Sequence, residues 1–391
     1  MPKYPLYKVP QVPDIAAEET DELLDEMIAE IESVYGQAYE ELLDKATKYL
    51  EWFVAMDEIK RKLFDAGKIS KKEYNDWRTN KLLTGQHWFA MSDTMAMDLV
   101  NADKIAARII YDYMPEVYSI NGNWQTYVIE HEVQVNTSFE LYDHATIERL
   151  LRDKPDLLPQ PQVDIPKDLR WNKEHLQSAV TQSILQGESV DQLSDRLAAV
   201  TDMNQTSAVR NAKTMTTSAQ NGGRNDALLR AEEMGIKSKK LWIATLDFHT
   251  RPSHRALDGV SVPLGEKFDN GLEFPGDPHG APAEVYNCRC TMSSVFPDQG
   301  INPDRHSRLG DMSYDEWKAA HGDEPEFKAA RNANRDMDMH KEYRSLLGKK
   351  CPKNFRDFQD LKYNQPDKWR QMVSDARKAR NERRRNNAGE F

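Results

Sequence analysis

Cysteine is scarce in this 391-residue chain: there are three, which cannot all pair, so no disulfide framework organises the fold. Long apolar runs are missing as well. No stretch approaches the roughly 18 apolar residues that a membrane helix needs, which excludes a helical span, and no membrane partner is expected. The amino terminus, "MPKYPLYKVPQVPDIAAEE", has no basic segment followed by an apolar one, so synthesis in a reducing cytosol without export is expected. There is no Walker loop, because Gly67-Lys68-Ile69-Ser70 lacks the upstream glycine. His131-Glu132 starts like a metalloprotease helix, but Val135 stands where the second histidine would be. Positive charge is also short: 53 Lys and Arg against 64 Asp and Glu give a net charge of -11, which excludes a generic DNA-coating surface. With 39% hydrophobic and 30% charged residues, some of the length belongs in extended helices or solvated arms, and an elongated molecule is expected.

What the chain does hold is helical periodicity. Residues 1–19 carry Pro2, Pro5, Pro10 and Pro13, each of which removes a backbone donor, and read as an extended arm. From Thr20, apolar residues recur every three or four positions (Leu24, Ile28, Ile31, Tyr35, Ala38, Leu42) as far as Leu63, which predicts a helix of about forty residues. Gly67 ends it, and "SKKE" at 70–73 is a capping box for the next helix. The following stripe, from Tyr74 and Trp77 through Trp88, Met95 and Leu99 to Ile109, is apolar enough to fold back, so residues 20–114 read as a long helical hairpin with methionines filling its core. Residues 115–169 read as a connector, with Asn-Gly turn chemistry at 121–122, short strand-like runs, and a linker bearing Pro155, Pro159, Pro161 and Pro166. Beyond it, two helices flank Gly187 with Ser189 as a cap, another covers about 205–234, and "KKLWIATLD" switches to a strand period.

The densest motif follows. Positions 242 to 290 read "WIATLDFHTRPSHRALDGVSVPLGEKFDNGLEFPGDPHGAPAEVYNCRC". Trp242, Asp247, Arg251, His254, Asp258, Gly259, Pro275, Gly276, Asn287, Cys288, Arg289 and Cys290, in this order and spacing, resemble the domain shared by phage Mu F-like minor head proteins. The helices before the motif, "WNKEHLQSAVTQSILQGESVDQLSDRL" and "RNAKTMTTSAQNGGR", are similar to those of that family in a weaker way, so the domain reads as 170–300. The resemblance implies a virion protein of the capsid interior, made in the bacterial cytoplasm, near the portal. It implies work in head assembly, with DNA packaging or ejection as a further role. The portal protein and a major capsid or scaffold protein are the partners it implies. No enzymatic activity is expected, since nothing in the motif supplies an evident phosphate cradle.

The residues also permit chemistry of their own. His254, Cys288 and Cys290, with His249 or Asp247 as a fourth ligand, are candidates for a zinc site that staples the segment. Against this, the one-residue spacing is tighter than that of zinc knuckles and suits packed reduced thiols, with His254 and Asp258 bonded to backbone. A disulfide across it would be strained. Alternation in an extended segment points Arg289 away from both thiols, toward Asp247 or Asp258. Two other functions remain: a metal-dependent hydrolase or nuclease acting on DNA through His254, Asp258 and the pair Cys288 and Cys290, and a transient scaffold-like assembly factor.

Residues 301–391 read as a helical extension with a capping box at 313–316, Trp317, and Leu346, Leu347, Phe355, Phe358, Leu361 and Trp369 at helical spacing. It ends in a basic tail whose Arg377, Lys378, Arg380, Arg383, Arg384 and Arg385 are candidates for contact with packaged DNA. The predicted fold is mainly α, with a compact α+β module near 238–300.

Overall fold

The computed structural model describes residues 14–133, 141–160, 163–247, 249–296 and 333–388, except the side chains of 333–335, 338 and 381–388. The chain is mainly helical, as its periodicity predicts, with one small sheet among the described residues. No helix among the described residues is long and apolar enough to cross a membrane. The fold divides into two units, one from residues 25–111 and 161–212, the other from 1–24, 112–160 and 213–391.

The first of these is a set of antiparallel helices. Helix α1 (Ile15–Asp65) stops at Gly67, whose φ of 67° only glycine adopts without strain. Ser70 and Glu73 then cap α2 (Lys71–Thr79) reciprocally. A wide turn at Asn80–Thr84 and an extended Gly85 separate α2 from α3 (Gln86–Val133). The fold-back is fixed by Tyr35 Oη donating to Asp103 Oδ1 at 2.5 Å, by the Lys45–Asp98 ion pair, and by Phe53 stacking on Trp77. Met95 is fully buried as core filler, while Met97 is exposed. Helix α5 (Ile165–Gln186) joins through Gln177 Nε2 donating to Ser92 Oγ at 2.8 Å. Gly187 terminates α5 with φ 67°, and Ser189 and Gln192 cap α6 (Val190–Glu233). Two helices were predicted over the length that α6 covers without a break.

The second unit corrects several expectations. Residues 15–19, read as arm, are already helical, with Asp14 Oδ1 accepting from Ala17 N at 3.1 Å. The predicted connector at 115–133 is the end of α3, with Pro115 inside it. Pro115 forfeits a helical hydrogen bond, and Asn121 and Gly122 favour turns, but Val117, Tyr118, Asn121 and Ile129 are all buried here, and that packing outweighs local preference. Glycine serves close approach rather than a turn. A Cβ on Gly223 of α6 would lie 2.3 Å from Tyr118 O and 3.1 Å from Gly122 N. Helix α4 (His144–Asp153), capped by Asp143, takes the place of strand-like structure after residue 141. The residues 1–13 of the arm, the capping box at 313–316 and Trp317 lie outside the described residues.

The sheet is antiparallel in the order β2 (Ser261–Pro263), β1 (Lys239–Ile243), β3 (Thr291–Val295), with Trp242 opposite Met292. The outer edge of β3 is not left open. Met292 N donates to Asn221 Oδ1 at 2.9 Å, and Met292 O accepts from Arg224 Nη1 at 3.1 Å, so side chains of α6 replace a fourth strand. Helices α9 (Ala333–Leu347), α10 (Phe355–Asn364) and α11 (Pro366–Ala388) close around Tyr343, Cys351, Phe358, Met372 and Ala376, with Leu346, Leu347, Leu361 and Trp369 packed against them. That cluster matches the spacing predicted for the extension.

Candidate metal centre

Two single turns carry the acidic and imidazole side of the site. Pro252 starts α7 (Pro252–Arg255), which holds His254, and Pro282 starts α8 (Pro282–Val285), which holds Glu284. After α8, Asn287 takes a left-handed φ of 57°, and its N donates to Thr214 Oγ1 at 3.0 Å. The chain then runs extended into β3. Alternation buries Cys288 and Cys290 and turns Arg289 outward, where its guanidinium grips both oxygens of Asp247. That charged partner holds the Asp247 carboxyl well below the usual carboxylate range.

Helix α6 anchors the cysteine segment from behind. Thr217 Oγ1 donates to Cys288 O at 2.6 Å and Asn221 Nδ2 to Cys290 O at 3.1 Å. Gly276, at φ 81°, sits against the same helix, where a Cβ would come within 3.0 Å of Ser218 N. Asp258 Oδ1 accepts from Ala244 N at 2.9 Å, and Gly259, at φ 74°, donates to Trp242 O at 2.9 Å. Arg251 reaches Tyr286 O. These residues of the motif set the loops, and Trp242 provides the floor, with its ring edge-on to His254 at 5.1 Å and to Phe268 at 5.0 Å.

His254, Cys288 and Cys290 meet there. His254 Nδ1 lies 3.6 Å from Cys288 Sγ and 3.4 Å from Cys290 Sγ, and the three ligand atoms fall within 4.8 Å of one another. All three residues are buried, at 1%, 1% and 2% exposure, so no bulky substrate reaches them. The group could hold a metal ion. The Cys288 thiol donates toward Cys290 sulfur, which lowers Cys290, while the same contact and burial raise Cys288. On the other side of the ring, Nε2 lies 2.9 Å from Glu284 Oε2, off the straight line that a hydrogen bond prefers, and Ser253 Oγ also reaches Oε2 at 2.9 Å.

The other candidates lie elsewhere. Asp247 is committed to Arg289 and is not in the group of three, nor is His249, which is exposed and donates its backbone N to Asp247 Oδ1. Glu284 was missed by reading the sequence. An acid four residues before Cys288 has no meaning in spacing alone, and only the fold brings it to His254. In the tail, Arg377 lies 3.9 Å above the Tyr113 ring and pairs with Glu116, and Arg380 pairs with Glu342. Lys378 is exposed, and the side chains of Arg383, Arg384 and Arg385 lie outside the described residues.

Comparison with known proteins adds sequence relatives. The family model described as phage Mu protein F-like matches residues 174–293. The NAD(+)-arginine ADP-ribosyltransferase EFV of Enterococcus faecalis is 30% identical over 210 residues, covering 51% of this chain and 41% of that protein. The minor head protein GP7 of Bacillus phage SPP1 is 26% identical over 236 residues, covering 56% of this chain and 74% of that protein. The chain thus spans less than half of the transferase and about three quarters of the head protein. No solved structure matches it.

Proposed function

The chain carries a phage Mu protein F-like domain, and from that premise we propose that it is a minor head protein, internal to the procapsid near the portal, acting in head assembly. One observation carries the reading: the similarity to minor head protein GP7 extends over 74% of that protein, well beyond the family motif. The centre's burial supports a structural part for it, because hydrolysis of DNA needs a phosphate to reach the metal. In this reading His254, Cys288 and Cys290 hold zinc, which staples the sheet to its loops. The portal and a coat or scaffold subunit are the partners, and the arginines at 383–385 extend the role to packaged DNA.

Procapsids and filled heads, purified from producing cells with and without this gene, test the proposal. The expected result is that quantitative mass spectrometry finds the chain in both particles and that heads made without it are defective. Loss of the chain on filling would shift the assignment to a transient scaffold, and absence from both particles would overturn it. The transferase relative motivates a second assay, because enzymatic activity on arginine is named for that protein. Incubation with labelled NAD+ and with supercoiled plasmid plus divalent metal is expected to give neither label transfer nor nicking. Nicking that disappears in His254→Ala would replace the structural reading with the nuclease.

A further inference from the structure

We propose that Glu284 is the outer partner of a zinc centre, accepting the Nε2 proton of His254 and so fixing Nδ1 as the ligand beside Cys288 and Cys290. This rests on the zinc reading above and adds a positioning residue to it. The geometry favours a cation over packed thiols. A ring nitrogen has one lone pair or one proton, so it can serve one thiol well, yet Nδ1 lies at 3.4 and 3.6 Å from two sulfurs. Zinc bonds of ~2.05 Å to nitrogen and ~2.3 Å to sulfur, held at a tetrahedral angle, separate those atoms by about 3.6 Å. The observed separations therefore match shared ligation of one small ion.

Charge points the same way. Binding releases the two thiol protons to solvent, and a divalent ion with two thiolates and a neutral imidazole is uncharged overall, which suits residues of 1–2% exposure. With the lone pair of Nδ1 on the metal, the ring's proton must sit on Nε2. That atom is buried and has no aligned hydrogen bond, and the acceptor beside it is Glu284 Oε2 at 2.9 Å. Metal-bound histidines commonly donate their second N–H to a carboxylate, which orients the ring and raises its basicity. Ser253 Oγ, bonded to the same oxygen at 2.9 Å, holds the carboxylate in place.

The test uses the full chain. Elemental analysis is expected to find about one zinc per wild-type chain and none in Cys288→Ser, Cys290→Ser. Cobalt in place of zinc is expected to give thiolate charge-transfer bands and tetrahedral d–d bands. Competition with a chromophoric chelator then ranks the Glu284 variants. Glu284→Gln is expected to keep the stoichiometry and the cobalt spectrum but to bind zinc ~10–100-fold more weakly, with Glu284→Asp recovering part of the loss. No zinc and no cobalt spectrum in folded wild type would overturn the metal centre and the role of Glu284 with it, leaving the head assignment to the particle experiment. Zinc in wild type with unchanged affinity in folded Glu284→Gln would overturn the role of Glu284 alone.

Discussion

Arg224 is 1% exposed, and each of its three nitrogens is paired: Nε with Asn121 Oδ1 at 2.9 Å, Nη1 and Nη2 with Asp14 at 2.6 and 2.8 Å, and Nη1 again with Met292 O. One guanidinium thus joins the start of α1, the second half of α3, α6 and the outer edge of β3. Arg224→Met would leave those acceptors without their donor. Losing one partner of a buried pair costs roughly 3–5 kcal/mol, and because Asp14 is 31% exposed the expected loss is about 3 kcal/mol in denaturant unfolding. Arg224→Lys is not expected to restore it, since an ammonium cannot make the fork. Nothing in "QNGGRND" marks this arginine as buried; its partners are 68 to 210 residues away. Asp103 poses a different residue-scale question. Burial pushes its carboxyl up to about 6 from 3.8, the hydrogen bond from Tyr35 opposes this, and Asp168 adds to it. The folded chain therefore holds more protons than the unfolded one between about pH 4 and 6, so this group's contribution to stability falls as pH rises through that window. Asp103→Asn, which keeps an acceptor for Tyr35, is expected to unfold at higher temperature than wild type at pH 7 and to lose that advantage by pH 4.

Among the elements, Gly223 and Gly36 make opposite predictions from the same substitution. Alanine favours a helix over glycine by about 1 kcal/mol, and Gly36 in α1 has nothing within 4 Å of an added Cβ, so Gly36→Ala is expected to stabilise by up to about 1 kcal/mol. At Gly223 the added carbon would meet backbone, 2.3 Å from Tyr118 O, which no rotamer change relieves. Gly223→Ala is expected to destabilise by about 2–3 kcal/mol or more, the overpacking cost exceeding the propensity gain. Thermal melts of both variants beside wild type decide it, and a stabilised Gly223→Ala would disprove the close approach. The caps were legible because capping is local: Gly67, Ser70, Gly187 and Ser189 each act within a few residues. The end of α3 was not legible, because Pro115 and Asn121-Gly122 speak locally against a helix that tertiary packing holds in place.

For the whole molecule, a net charge of -11 confines any hold on nucleic acid to the basic end of the chain. Arg377 and Arg380 already pair with Glu116 and Glu342, which removes them from the count. Replacing Arg383, Arg384 and Arg385 together by alanine is expected to lower the salt dependence of DNA retention by up to about 3 in log–log slope, near 0.9 per phosphate contact. Replacing Arg377 is expected to affect stability instead, through its stack on Tyr113. A slope unchanged by the triple substitution would remove these three arginines from the candidate DNA contacts.

The sequence by itself determined the helical stripes, their caps, the switch to strand period before residue 246 and the outward turn of Arg289, because each depends on neighbours a few positions apart. It also held the motif whose order carries the family resemblance. Only the tertiary structure decided that His254 meets both cysteines while Asp247 and His249 do not, that Glu284 stands behind the imidazole, and that α6 closes the edge of β3. Those contacts join residues tens of positions apart, and their geometry follows from how helices and sheet pack, which no spacing along the chain encodes.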